Sequence, residues 1–189
     1  MKPILLLLFF PFVCSAQMLT FSGNLGPIAS GGGVTTNWIT SVGLDSSLRD
    51  DFTGILGTRF WASNNVTVVS LGRWIYSGNS TLHTLKLYDA SSNLLASAQL
   101  NASGLTTNQF AYATCSPQPV LTVGNLYWLL STETNLNGDY WGNAPTNLAS
   151  SSVAVSAGPG YYDYTSSTFI SAGGASTNLY IPVNFQYHP

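Results

Sequence analysis

The sequence predicts an all-β fold, an antiparallel β-sandwich of jelly-roll type. Charged residues make up only 6% of the chain, so the usual charged helix formers are scarce. Past the first residues, Thr, Ser, Val, Tyr and Gly dominate, and these favour strands and turns. Short apolar runs are separated by turn signals at short intervals, the pattern of a sandwich rather than of βαβ units.

The chain opens MKPILLLLFFPFVCSAQ. Lys2 precedes an apolar run at 4–13, and Cys14 and Ala16 put small residues three and one positions before Gln17. This order predicts a signal peptide over 1–16, cleaved after Ala16, and a secreted product, extracellular or wall-associated. Ten apolar residues span about 15 Å of helix against about 30 Å of bilayer core, too short for an anchor. No later stretch approaches the length of a membrane span. Residues 17–47 are expected to form an N-terminal arm and first strand region. Residues 48–189 form the β-sandwich, one domain with the arm.

Along the chain, 18–35 is Gly- and Ser-rich with room for one short strand. Residues 37–51 hold Trp38, Ile39, Val42 and Leu44, then a charge cluster at 45–51. Strands are expected at 52–62, at 67–75 (TVVSLGRWI), at 82–88 (LHTLKLY) and at 94–100 (LLASAQL), the last three as a meander. Turns at 77–80 and 89–93 separate them, with Asp89 able to bond its own backbone. A strand at 110–115 is followed by Pro117 and Pro119, which mark an edge or strand end. Residues 120–123 lead to a turn at Gly124-Asn125. LYWLLST at 126–132 is the most apolar strand and should be central. Residues 135–177 read as long loops with short strands. A final strand spans 179–187, where Pro182 argues for an edge or a bulge.

Loss of 1–16 takes Lys2 with it and leaves four basic side chains (Arg49, Arg59, Arg73, Lys86) against seven acidic ones, a formal charge of −3. So few cations provide no footprint for nucleic acid and no polybasic patch for lipid. Cys14 leaves as well, so Cys115 has no intrachain partner and reads as a small buried hydrophobe. The core, rather than a disulfide, must hold the domain. Three N-glycosylation motifs begin at Asn65, Asn79 and Asn101, each near an expected strand end or turn.

Two histidines, His83 and His188, are too few for a His/Cys zinc site. No nucleophile elbow, P-loop or dinucleotide fingerprint is present. The carboxylates Glu133 and Asp139 stand out, one at the end of the most apolar strand and the other just past an Asn-Leu-Asn-Gly turn. A partly buried charge there must be paired. Three arrangements fit: a bridge to Arg73 or Arg49, a calcium site completed by carbonyls and amides, or sugar contact including two-carboxylate glycoside hydrolysis. Trp141, Tyr161, Tyr162 and Tyr164 lie in polar, Gly-rich surroundings. They can face a sugar ring, or instead cover the sheet rim.

LRDDFTGILGTRF at 48–60, VSLGRWIYSGNSTLHTLKLYDAS at 69–91, QFAYAT at 109–114, PVLTVGNLYWLLSTE at 119–133, GDYW at 138–141 and YIPVNFQY at 180–187 occur in one consistent order. This set resembles a functionally uncharacterised β-sandwich domain family of secreted bacterial proteins, often found beside extracellular glycoside hydrolase modules. Arg49, Asp51, Arg73, Trp74, His83, Lys86, Glu133, Asp139 and Trp141 match its polar and aromatic positions. The resemblance implies an extracellular accessory module, adhesive or carbohydrate-binding, and no catalytic residue. The expectation is a secreted, non-catalytic module for glycans or matrix components. A structural protein of a matrix, coat or wall and a carboxylate-dependent glycoside hydrolase are the alternatives.

Overall fold

Strand side chains alternate between faces, and this alternation sorts the chain into two packed antiparallel layers. The computed structural model describes residues 33–42, 48–135, 140–144, 149–163, 167–171, 179–180 and 183–189. The expected signal peptide at 1–16 and most of the expected arm lie outside them, as do Asp139, Tyr164 and Pro182. The strands, in chain order, are β1 (Thr36–Asn37), β2 (Ile39–Ser41), β3 (Leu48–Arg49), β4 (Gly54–Ala62), β5 (Val66–Ile75), β6 (Leu82–Asp89), β7 (Leu94–Asn101), β8 (Gln109–Thr114), β9 (Val120–Leu121), β10 (Leu126–Glu133), β11 (Trp141–Ala144), β12 (Ala149–Ser150), β13 (Ala154–Asp163), β14 (Thr168–Ser171), β15 (Leu179–Tyr180) and β16 (Val183–His188). No helix among the described residues is long and apolar enough to cross a membrane.

One sheet runs β14-β13-β4-β10-β6-β7 and the other β1-β16-β5-β8, with β9 also paired to β5. Short ladders β15-β11-β3 and β12-β2 lie outside these two sheets. The chain is therefore an antiparallel β-sandwich. The apolar strand β10 sits between β4 and β6, as its sequence requires.

Three strand expectations need correction. The meander is only a pair: β6 and β7 are neighbours, but β5 belongs to the other sheet, between β16 and β8. The 76–81 connection crosses between layers instead of making a hairpin. Within 135–177, the segment AVSAGPGYYD forms a ten-residue strand, β13. Gly158, with φ of 100°, closes a bulge at 156–158, and Pro159 stays in register with Thr58 rather than opening a loop. The single strand expected at 179–187 falls into two pieces in different ladders, β15 beside β11 and β16 between β1 and β5, and of the edge or bulge expected there β16 carries a bulge, at Gln186–Tyr187.

The core closes around four rings. Phe60 and Tyr127 come from the larger sheet, Phe185 from the smaller, and Trp38 from the link between β1 and β2. Ring centroids lie 4.8 Å apart for Trp38–Phe60, 5.1 Å for Trp38–Phe185 and 5.7 Å for Phe60–Tyr127. The Trp38 indole N–H donates to the Ala154 carbonyl at 2.9 Å, so this buried donor is satisfied. Buried Asn184 serves as a substitute strand partner for Ile39, accepting from its N–H and donating to its carbonyl, both at 2.8 Å. Residues 33–42 thus supply core side chains and belong to the sandwich.

Candidate functional site

The polar cluster expected at the end of β10 is fully internal. Glu133 ends β10 on the inward parity of Leu129 and Ser131, and Arg73 points inward from β5. Arg73 Nη2 donates to Glu133 Oε2 at 2.8 Å and Nε to Oε1 at 3.3 Å, and both side chains are wholly buried. Arg73 also donates to the carbonyls of Trp74 and Tyr140 and to Asn79 Oδ1. His83 Nδ1 lies 2.9 Å from the Thr132 carbonyl and 3.6 Å from Glu133 Oε1. A carbonyl only accepts, so Nδ1 carries its proton. Both Glu133 oxygens thus face Arg73, which takes the place that a cation or sugar would need. Among the described residues no group of three His, Cys, Asp or Glu side chains is placed to hold a metal.

Arg49 stands apart from this network. It forms a two-point pair with Asp51, at 3.0 Å for each bond, and lies 4.1 Å over the Trp141 ring. The Arg49 hydrogen bond holds the Asp51 carboxyl below its ordinary value. Trp141 faces Arg49 in register between β11 and β3, and Tyr180 meets it edge-on at 5.4 Å. The expectation of an open Trp141 platform is corrected: the ring is 2% exposed, with Arg49 occupying a face that a sugar would use. The crevice formed by Arg49, Phe52, Leu56, Trp141, Tyr161 and Tyr180 is about 130 Å³, below the roughly 300 Å³ at which small-molecule sites begin.

Tyr161 and Tyr162 cannot share one surface, because adjacent strand residues point to opposite faces. Tyr161 packs on the main core and meets Phe52 edge-on at 6.1 Å. Tyr162 lies on the outer face with Phe169, at 5.0 Å, over a second small core of Ile55, Trp128 and Leu130. Trp128 lies against Gly160, where a Cβ would sit 2.3 Å from the indole.

The acceptor motifs also divide. Asn65 and Asn101 are exposed. Asn79 is 8% exposed and fully engaged: Oδ1 accepts from Tyr76 N–H at 2.7 Å, and Nδ2 donates to the Tyr140 carbonyl at 2.9 Å. The nitrogen that would carry a glycan is thus committed to the 76–79 turn, and glycosylation at Asn79 is incompatible with this fold.

The open site lies elsewhere, where β4 ends. Phe60 and Ala62 point inward, so Trp61 must point outward, and it stays 48% exposed. Opposite it in register are Leu126 on β10 and Val155 on β13, the latter 58% exposed. Beside this row is a cleft of about 430 Å³, lined by Trp61, Asp89, Ala90, Ser91, Gly124, Asn125, Leu126 and Tyr127. This volume is within the range of small-ligand sites. The two turns 89–93 and 122–125 form its rim. Gly124 takes φ of 82° and donates to the Ala62 carbonyl at 2.8 Å, which ties the rim to β4.

Asp89 is the carboxylate on that rim. Its Oδ1 accepts from the N–H groups of Ser91 and Asn93, and Oδ2 accepts from Asn93 Nδ2 at 2.8 Å. The Asn93 side chain first, then these backbone donors, hold the carboxyl below its ordinary value. The sequence shows Asp89 and Asn125 in turns, and no motif marks Trp61. The available signal was parity: a Trp between two inward residues, just before Ser63-Asn64-Asn65, has to face solvent.

Compared with known proteins, the sequence matches no family model and no curated protein.

Proposed function

We propose that this chain is a secreted, non-catalytic binding module for glycans, and that the ligand sits in the Trp61 cleft. The observation carrying this reading is the half-exposed Trp61 beside a cleft edged with hydrogen-bonding groups. An indole left this open keeps about half of its surface free for a partner. The face of a sugar ring is apolar and its rim carries hydroxyls. Trp61, Leu126 and Val155 suit the first. The Ser91 hydroxyl, the Asn125 amide and the Asp89 carboxylate suit the second. Secretion, supported by the first sixteen residues, and the resemblance to secreted β-sandwich modules point the same way.

A non-catalytic role is favoured by the placement of carboxylates. Glycoside hydrolysis needs two of them facing one cleft. Glu133 is sealed inside the sandwich by Arg73, and Asp89 is the carboxylate among the residues lining the cleft. The test is co-sedimentation with a panel of insoluble polysaccharides, wild type beside Trp61→Ala. Wild type should bind at least one, and the variant, folded by circular dichroism, should bind at least tenfold more weakly, as for a Trp hot spot. Equal retention of the two proteins would remove the cleft from the account.

A further inference from the structure

The composition of the Trp61 cleft also selects the kind of glycan, an inference that rests on the reading above. Trp61 and Asp89 line the same cleft, Trp61 from the end of β4 and Asp89 from the end of β6, with the start of β10 between those two strands. A sugar held in the cleft meets both an indole and a carboxylate.

Asp89 has acceptor capacity to spare. A carboxylate offers about four acceptor positions. Two on Oδ1 are taken by Ser91 N–H and Asn93 N–H, and one on Oδ2 by Asn93 Nδ2. A position on Oδ2 remains for a ligand. The three bonds also fix the carboxylate in place, so little freedom is lost when a partner arrives. None of the side chains lining the cleft is a cation. Arg59, two residues before Trp61, is occupied elsewhere: it donates to the Ala157 carbonyl at 2.7 Å and sits 5.5 Å from the centre of the Trp128 ring.

A cleft lined by an aromatic ring and a fixed anion, and by no cationic side chain, suits a sugar that bears a positive charge. It repels one that bears a carboxylate or sulfate. We propose that the cleft binds polysaccharides carrying free amino groups, with a protonated hexosamine nitrogen on Asp89 Oδ2 and the ring on Trp61.

The experiment uses two soluble probes of equal length, a β-linked glucosamine hexasaccharide and its fully N-acetylated counterpart. Each is titrated calorimetrically into the intact chain at mildly acidic pH and low salt. The free-amine probe should bind roughly fivefold more tightly, the scale of a partly exposed ion pair. Added salt should narrow the gap, and in Asp89→Asn the ratio of the two affinities should fall to one. Asn keeps an acceptor for the turn, and a matched melting temperature checks the fold. A wild-type ratio of one or below, or an unchanged ratio in Asp89→Asn, overturns the amino-sugar inference and leaves the glycan reading standing. Should neither probe bind while other polysaccharides do, the inference falls alone. If Trp61→Ala binds any glycan as wild type does, the underlying reading falls with it.

Discussion

Glu133→Ala would strip Arg73 of two charge-assisted hydrogen bonds at 2.8 and 3.3 Å, in a place where both side chains are fully buried. The carbonyls of Trp74 and Tyr140 and the Asn79 amide still accept from the guanidinium. They carry no charge to balance it. Removing one member of a buried pair costs about 3–5 kcal/mol, because the partner remains desolvated. In a domain of this size each kcal/mol shifts Tm by about 2–4 °C, so the variant should melt about 6–20 °C lower. Scanning calorimetry of wild type, Glu133→Ala and the double variant Glu133→Leu with Arg73→Met gives the comparison. The double variant should recover part of the loss, because an apolar pair leaves no stranded charge. A Tm for Glu133→Ala within about 2 °C of the parent would refute the reasoning and leave the ion pair without a stabilising role.

The buried Cys115 thiol, pushed above its ordinary pKa by burial, should resist Ellman's reagent in the folded protein and react fully once unfolded; rapid reaction when folded would contradict its placement. After expression in a glycosylating host, peptide mapping should find glycan at Asn65 and Asn101 but not at Asn79. Asn79→Ala should cost about 1–3 kcal/mol, since Tyr76 N–H and the Tyr140 carbonyl lose their partner. Asp51 and Asp89 are both held below the ordinary carboxylate value, Asp51 chiefly by Arg49 and Asp89 chiefly by Asn93. The folded chain therefore binds their protons less readily than the unfolded chain. The stability they add is present above the unfolded value near pH 4 and is lost as pH falls through the folded values. Melting curves should fall below about pH 4 in wild type and fall less in Asp51→Asn with Asp89→Asn; identical slopes would contradict this.

The fold class was legible because strand parity and turn residues are local signals. LYWLLSTE shows its central place in an unbroken apolar run that is buried on both faces, and the end of GILGTRFWA alternates, with Arg59 and Trp61 more open than Phe60 and Ala62. What stayed hidden depends on long-range pairing. Nothing local in TVVSLGRWI shows that it leaves the sheet of its neighbours 82–89 and 94–101. Nor does AVSAGPGYYD show that a bulge closes at Gly158 and that Pro159 stays in register with Thr58, since the same residues serve as loops where no partner strand is available. The site followed the same division. The need of Glu133 for a buried partner could be argued from its position after an apolar strand, and Arg73 is that partner. Composition drew attention to Trp141, Tyr161 and Tyr162, yet pairing places Trp141 under Arg49 and turns the two tyrosines to opposite faces. Trp61 was readable from parity alone, but only in a strand whose inward face is already known.

The most direct test of the glycan reading is two-dimensional nitrogen–proton NMR of the intact chain, titrated with fragments of whichever polysaccharide it retains. The indole signal of Trp61 and the side-chain amide of Asn125 should shift together and saturate, while the indole signals of Trp38 and Trp128, buried in the two cores, stay in place. Shifts centred instead on Trp141, with Trp61 unmoved, would contradict the Trp61 cleft as the binding site.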